Sequence, residues 1–292
     1  MLGASGMLGH KVLQVLSPRF ETYGTVRSRA KLVREVAPEA RAVFEGVSAT
    51  DLEGTAQIVT SVRPDVVVNC IGIIKQAEEA KDPVASILVN SLFPHQLAAL
   101  CATTGVRLVH VSTDCVFSGT RGRYVEGDMP DAADLYGRSK LLGEVKAPAL
   151  TIRTSIFGRE LDGHRGMLEW FLSQRGGAVR GFRRAVFSGW STIGFARALG
   201  DVIEAHSTLS GLWHVAAAPI TKFDLLALLR DAFDLDVTID PDDSFECDRS
   251  LDGSAFRAAT GIVAPEWPDM VDEVKQDSAF YDGLKEPSVV SG

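Results

Sequence analysis

Gly3-Ala4-Ser5-Gly6-Met7-Leu8-Gly9, near the start of the chain, and Tyr136-Gly137-Arg138-Ser139-Lys140, near its middle, decide how the rest is read. Glycines at 3, 6 and 9 supply the turn, the close backbone approach and the helix–strand contact that let a dinucleotide pyrophosphate sit on a helix N-terminus. Gly3, Ser5, Gly6, Met7, Leu8 and Gly9 are therefore candidate cofactor-binding residues. Tyr136 and Lys140 stand four apart, so on a helix the phenol and the ammonium share one face. A glycine triplet alone is a weak signal; joined to this pair it points to hydride transfer.

Working outward, β-branched runs at 22–26, 42–44, 65–69, 107–112 and 150–153 alternate with amphipathic stretches. That is the pattern of parallel strands joined by crossover helices, an α/β fold with a Rossmann-type doubly wound sheet. In Arg63-Pro64-Asp65-Val66-Val67-Val68-Asn69 the proline ends a helix, and the valines predict a strand buried on both faces. After about residue 154 the alternation loosens around Gly176-Gly177, Gly181 and Gly189. The expected division is 1–155 for an NADP-binding domain carrying the catalytic residues. Residues 156–292 are read mainly as a smaller C-terminal substrate-binding lobe. Segments near 185–230, including Gly211–Val215 and the helix after Thr221, are candidates to return to the main domain. Only Met1 and Leu2 precede the first glycine, where a strand needs about five residues. Either that strand is stunted or the chain begins later than its natural relatives.

Composition bounds the function. Thirty basic against 38 acidic residues give a formal charge of -8 over 292 residues, with no dense Lys/Arg block, which argues against nucleic acid and anionic membrane as partners. Cys70, Cys101, Cys115 and Cys247 lack C-x-x-C spacing and read as reduced thiols. No uninterrupted apolar run approaches the ~18 residues of a membrane span, and no metal-ligand spacing occurs. A cytoplasmic location is the expectation. His110, inside a strand, reads as a packed histidine.

Arg27, at the end of the 22–26 strand, sits where an acid would hold the ribose hydroxyl of NAD and where a cation accommodates the 2′-phosphate of NADP. NADP(H) is the expected cofactor. Asp51 and Leu52, after the next strand, are candidates for the adenine pocket, with Asp51 equally readable as a helix N-cap.

The run Val109-His110-Val111-Ser112-Thr113-Asp114-Cys115-Val116-Phe117-Ser118-Gly119 resembles the Ser-Thr-Asp-x-Val-Phe-x-Gly segment of the extended short-chain dehydrogenase/reductases. More closely it resembles the dTDP-4-dehydrorhamnose reductase group. Tyr136-Gly137-Arg138-Ser139-Lys140-Leu141-Leu142-Gly143-Glu144 is similar to that group's Tyr-x-x-x-Lys helix, and Asn69-Cys70-Ile71-Gly72, Val89-Asn90 and Ile152-Arg153-Thr154-Ser155 extend the likeness over most of residues 1–160. The resemblance implies catalysis by Thr113, Tyr136 and Lys140. It also implies cofactor contacts from Cys70, Ile71, Gly72, Asn90, Tyr136 and Lys140. A ketone accepting hydride develops negative charge on oxygen. Thr113 would donate to that oxygen and Tyr136 would protonate it, while Lys140 would favour the phenolate and bind the ribose.

Asp114-Cys115 follows the threonine where sugar-nucleotide dehydratases carry two acids, so dehydration is not expected. Rhamnose-forming reductases usually have Tyr in place of Cys115, and Ile73-Ile74-Lys75-Gln76 differs too, so the sugar is left open. Lys75, Asp114, Cys115 and Arg249 are candidate substrate contacts. His164, Arg165, Arg180, Arg183 and Arg184 are, with Arg249, candidate diphosphate ligands, most of them expected on the surface. Trp190 reads either as a nucleobase stack or as a core residue. The expected function is NADPH-dependent reduction of a 4-keto sugar on a nucleoside diphosphate, in deoxysugar or surface-polysaccharide synthesis, with a homodimer left open. Alternatives are a sugar-nucleotide epimerase and a non-catalytic NADP-binding subunit, similar to the β subunit of methionine adenosyltransferase.

Overall fold

The computed structural model describes residues 1–163 and 165–285. Helix α1 (Met7–Leu16) starts directly after the glycine loop and buries Leu8, Val12, Leu13 and Leu16 at helical spacing. There follow β1 (Tyr23–Val26), α2 (Ala30–Val36), β2 (Ala42–Glu45), α3 (Leu52–Val62) and β3 (Val66–Asn69). One continuous helical stretch comes next, α4 (Pro83–Ser86), a π-helical turn (Ile87–Leu92) and α5 (Phe93–Thr104). The alternation ends with β4 (Arg107–Thr113), α6 (Leu135–Leu142) and β5 (Leu150–Thr154). Beyond lie β6 (Ile156–Phe157), α7 (Met167–Leu172), β7 (Gly177–Phe187), β8 (Trp190–Ser191) and α8 (Thr192–Ala205). The chain continues through β9 (Gly211–Val215), β10 (Ile220–Thr221), α9 (Lys222–Ala232), β11 (Val237–Asp248), α10 (Ser254–Thr260) and α11 (Trp267–Lys285).

All pairs of the main sheet are parallel: β1 with β2, β3 with β4, β4 with β5, and β5 with β9. The two halves are joined by the short segment Met1–Ala4: Thr25 N donates to the Met1 carbonyl and Ala4 N to the Thr25 carbonyl, both at 2.9 Å. Leu2 bridges Thr25 on one side and Asn69 on the other. Its N–H donates to the Val68 carbonyl at 2.9 Å and its own carbonyl accepts from Cys70 N at 3.1 Å. The order β2-β1-Leu2-β3-β4-β5-β9 is a doubly wound sheet, as the alternating pattern implied.

Next to Leu2 the sheet has a gap. A cavity of ≈ 720 Å³ lies between β1 and β3, lined by Tyr23, Thr25, Val66, Val67, Val68 and residues of α1 and α3. Extending the chain N-terminally by about five β-branched residues, one strand's length, should fill this slot and pair both exposed strand edges. Calorimetry should then record a rise in melting temperature of several degrees. An unchanged melting temperature, with hydrogen exchange showing the extension protected in the sheet, would mean that Leu2 already suffices.

The second half does not stand apart. In its own three-stranded sheet β7 lies between antiparallel β10 and parallel β11. Yet α8 packs on α1, β9 extends the main sheet, and α11 crosses α8 and α9. One hydrophobic cluster runs through Val12, Val109, Ile152, Phe171, Leu199, Leu225 and Met270. Helix α9, the helix after Thr221, packs on β7 and β11 and so belongs to the smaller sheet, not to the main domain. A second correction concerns Pro83–Thr104, which is long and apolar enough to cross a membrane by length and composition. Its apolar run is interrupted by Asn90, Ser91, His95 and Gln96, so it contains no unbroken apolar stretch of span length. Phe93, Leu97 and Cys101 on this stretch are buried in the protein core with Val67 and Leu108.

Helix α11 clamps α1. His10 Nε2 meets the Tyr281 hydroxyl at 2.6 Å, and Lys11 pairs with Asp277 at 2.7 Å. Burial pushes the His10 imidazole down to about 3, so it stays neutral.

Candidate active site

The glycine loop builds an anion cradle from backbone alone. A Cβ on Gly9 would lie 2.1 Å from the Gly3 carbonyl oxygen, so the turn closes only without a side chain there. Gly6 caps α1 with no side-chain hydrogen bond, which leaves the first helical N–H groups for a ligand. Ser5 and Gly6 are exposed and Met7 and Gly3 partly so, whereas Leu8 turns its side chain into the core. Cys70 and Ile71 abut Gly3, and Gly72 lies beside Asn90 and Lys140, so the cradle leads directly towards α6. Burial pushes the Cys70 thiol up to about 12, which keeps it an uncharged wall. These residues fit a dinucleotide.

Arg27 is exposed at the carboxyl end of β1 and forms no ion pair among the described residues. Its neighbour Arg29 differs, for it pairs with Asp162 at 2.6 Å and caps α2. Asp51 accepts from Gly54 N at 2.9 Å, the N-cap of α3, and Leu52 opens that helix.

The candidate acid–base residues lie on β4 and α6. Thr113 closes the strand; its Oγ1 accepts from Cys115 N at 3.2 Å and donates to Asp114 Oδ1 at 3.1 Å. Helix α6 is fixed at its start by Asp134, which accepts from Gly137 N at 2.8 Å. At its end a Cβ on Gly143 would fall 1.8 Å from the Asn90 carbonyl oxygen, so α6 packs against the π-helical turn at backbone contact. Asn90 Oδ1 accepts from Ile73 N at 2.8 Å and its Nδ2 donates to Ser139 Oγ at 3.2 Å, tying the loop after β3 to α6. A π-turn at a ligand cleft is a common device for aiming such a side chain.

The electrostatics differ from expectation. Burial raises the Tyr136 phenol well above its ordinary value; Cys115 adds to this, and hydrogen bonding with Thr113 opposes it. Lys140 is not among its leading influences. The Lys140 ammonium donates to the Val111 carbonyl at 2.9 Å, and burial pulls it down to about 8. The phenol is thus held protonated, the form a proton donor needs, and the ammonium stands towards the cofactor loop.

Among the candidate substrate contacts, Lys75 pairs with Asp134 at 2.8 Å at the rim. Asp114 is raised by burial, and the Cys115 thiol is pushed up to about 12 by burial and by Asp114. Arg249 reaches the same place, its Nε donating to the Phe117 carbonyl at 2.8 Å. The remaining arginines lie elsewhere. Arg180, Arg183 and Arg184 pair with Asp242, Asp243 and Glu246 across β7 and β11, a solvated ladder. Arg165 is exposed, and His164 lies outside the described residues. Trp190 is 3% exposed, a core residue and not a stacking platform. His110 is fully buried with Nδ1 3.1 Å from Asn69 Nδ2.

Two features escaped the sequence reading. Arg153 binds Glu144 through two 2.7 Å contacts, and Ser112 donates to the same carboxylate at 2.7 Å, locking β4, β5 and the end of α6 together. The Gly-Glu after the Tyr-x-x-x-Lys helix was the available signal. The second is Lys222, whose ammonium is pulled down to about 8 by burial and feels Asp114, Cys115 and Cys247. A lysine opening a helix some 80 residues beyond Lys140 carries no local signal.

Comparison with known proteins points to one family. The chain is 34% identical over 167 residues to a probable low-salt glycan biosynthesis reductase of Haloferax volcanii, covering 55% of this chain and 54% of that protein. It is 32% identical over 143 residues to a dTDP-4-keto-6-deoxy-D-glucose reductase of Streptomyces niveus, covering 49% and 44%. The chain spans about half the length of these curated relatives. A crystal structure of a hypothetical dTDP-4-dehydrorhamnose reductase from Sulfolobus tokodaii superposes with a TM-score of 0.76 at 26% identity, over 91% of this chain and 97% of that one. The family described as RmlD substrate binding domain matches residues 1–279, and the chain therefore belongs to that family, within the extended short-chain dehydrogenase/reductases.

Proposed function

We propose that the protein is an NADPH-dependent reductase of a 4-keto sugar carried on a nucleoside diphosphate, acting in deoxysugar or surface-polysaccharide synthesis. The observation that supports this reading is Lys140 bonded to the Val111 carbonyl, two residues before Thr113 on β4 and on the same helix as Tyr136, with the Gly3-Gly6-Gly9 loop close by through Gly72. Family membership supports it. The cofactor, when bound, supplies the hydride. Gly3, Gly6 and Gly9 hold the pyrophosphate by backbone, Arg27 takes the 2′-phosphate, and Lys140 binds the ribose. Thr113 donates to the carbonyl oxygen as negative charge grows on it. Tyr136, kept protonated by its surroundings, delivers the proton. A single acid at Asp114, followed by Cys115, leaves no pair of carboxylates for dehydration. A cytoplasmic setting and a homodimer are part of the proposal, the latter checked by light scattering of the full chain.

The test is NADPH oxidation against a panel of nucleotide 4-keto sugars. Turnover with none of them, from folded protein that binds NADPH, sinks the reductase reading. Cofactor choice is tested separately. NADPH should bind more tightly than NADH by about 10-fold or more, the worth of one or two charge-assisted hydrogen bonds. Arg27→Asp should reverse the order. Equal affinities of the unmodified protein in titration calorimetry would remove the support for NADP.

A further inference from the structure

His10 stands one turn into α1 with its side chain fully buried, and its ring touches both the glycine loop and α11. Its Nδ1 lies 2.8 Å from the Gly6 carbonyl oxygen and its Nε2 lies 2.6 Å from the Tyr281 hydroxyl. The carbonyl can only accept, so Nδ1 carries the hydrogen and donates. In a neutral imidazole Nε2 must then accept, and the Tyr281 hydroxyl donates to it. Both groups keep these forms, because burial lowers the His10 imidazole to about 3 and raises the Tyr281 phenol. The hydrogen bonds therefore run one way, from α11 through the ring to the start of α1.

This chain of bonds fixes the peptide between Gly6 and Met7. Gly6 is the N-cap of α1, and its carbonyl also accepts from His10 N at 3.1 Å. Because a trans peptide is planar, its C=O and N–H point in opposite directions. Two donors from His10 that hold the Gly6 oxygen against the helix thus aim the Met7 N–H outwards, to the open side of the Gly3-Gly6-Gly9 turn. Donation to the carbonyl also polarises the peptide, which makes that N–H a stronger donor. The Tyr281 ring is itself held in place, 4.9 Å from Lys11 Nζ and 5.2 Å from Arg159 Cζ. Lys11 is bound to Asp277, and Arg159 to the Ser278 carbonyl and Asp282, all of them on α11. The hydroxyl is placed by the helix that carries it.

We propose that His10 is a positioning residue for the pyrophosphate cradle, held by Tyr281 in its donating tautomer, so that the docking of α11 sets dinucleotide affinity. This rests on the reading of the glycine loop as a dinucleotide site.

The experiment uses the full chain and four variants: His10→Leu, His10→Asn, Tyr281→Phe, and His10→Leu combined with Tyr281→Phe. Titration calorimetry reads NADPH and NADH, and thermal melts read stability. His10→Leu removes the donor to Gly6 and strands the Tyr281 hydroxyl, so affinity should fall about 5-fold or more and the melting temperature should fall with it. His10→Asn keeps an amide donor near the Nδ1 position and should bind within about 2-fold of the native protein, although it too loses Tyr281. Tyr281→Phe leaves the donor but frees the tautomer, and a loss of about 3-fold is expected. The double variant separates positioning from packing. With both polar partners replaced by apolar groups, stability should return towards the native value. Affinity should not, and NADPH and NADH should stay weakened by one factor, because the pyrophosphate is common to both. Affinity that recovers with the melting temperature in the double variant overturns the proposal, as does native affinity in His10→Leu or in Tyr281→Phe. A native protein that binds neither dinucleotide sinks the cradle reading and this inference together. Calorimetry needs no turnover, so a protein that binds NADPH through His10 but oxidises none keeps this inference and loses the reductase reading.

Discussion

Tyr136→Phe should lower turnover by about 100-fold or more while leaving NADPH affinity unchanged. The ring stays, so α6 keeps its packing, and only the proton donor is lost. Burial and Cys115 hold the phenol above its ordinary value, so it stays protonated throughout the working range. The pH dependence should then come from Lys140, which burial lowers to about 8. Below that pH the ammonium is present; above it the charge is lost, and kcat/KM for reduction should fall. Lys140→Met should abolish this alkaline limb and weaken both cofactor binding and turnover. Steady-state NADPH oxidation across pH, beside cofactor titrations of each variant, measures all of it. Full activity of Tyr136→Phe on a substrate that the native protein reduces would falsify the proposed proton path.

Arg153→Ala should be the most destabilising change beneath the site. Arg153 and Glu144 are 3% and 10% exposed and joined by two contacts of 2.7 Å, so the variant leaves a buried carboxylate with Ser112 as its remaining partner. Removing one member of a buried pair costs about 3–5 kcal/mol. In a protein of this size each kcal/mol lowers the melting temperature by about 2 °C or more. A drop of about 10 °C in a thermal melt is expected, with folded protein remaining at low temperature. The double variant Arg153→Met with Glu144→Leu should recover much of the loss, because no charge is then buried alone. If the double variant is as unstable as the sum of the singles, the cost lies in packing around Phe117 and His214 and not in the stranded carboxylate.

Much of this site was legible in the chain because its signals are local. Gly3, Gly6 and Gly9 lie within one turn, and their need for backbone room shows in their spacing. The valines before Asn69 and the run ending in Thr113 announce buried strands by composition. Tyr136 and Lys140 share a face because a helix repeats every 3.6 residues. The proposal for Arg27 starts from its place at a strand end. Asp51 could be read two ways, and its observed capping bond is the more local of the two.

What the sequence by itself determined was therefore the parallel α/β alternation, written in local composition, while the phosphate cradle and the Thr113-Tyr136-Lys140 mechanism are proposals that start from spacing and resemblance. Only the tertiary structure decided the rest: that the short segment Met1–Ala4 stitches β1 to β3, that β9 joins the main sheet while α9 packs on the smaller one, and that Arg180, Arg183 and Arg184 face acids across a strand pair. It likewise decided that Lys140 bonds the Val111 carbonyl and that the Lys222 ammonium stands over the Phe187 ring. The reason is physical. Whether a charge meets a carboxylate, a carbonyl or a ring depends on which elements pack together, and a period along the chain carries no record of partners a hundred residues away.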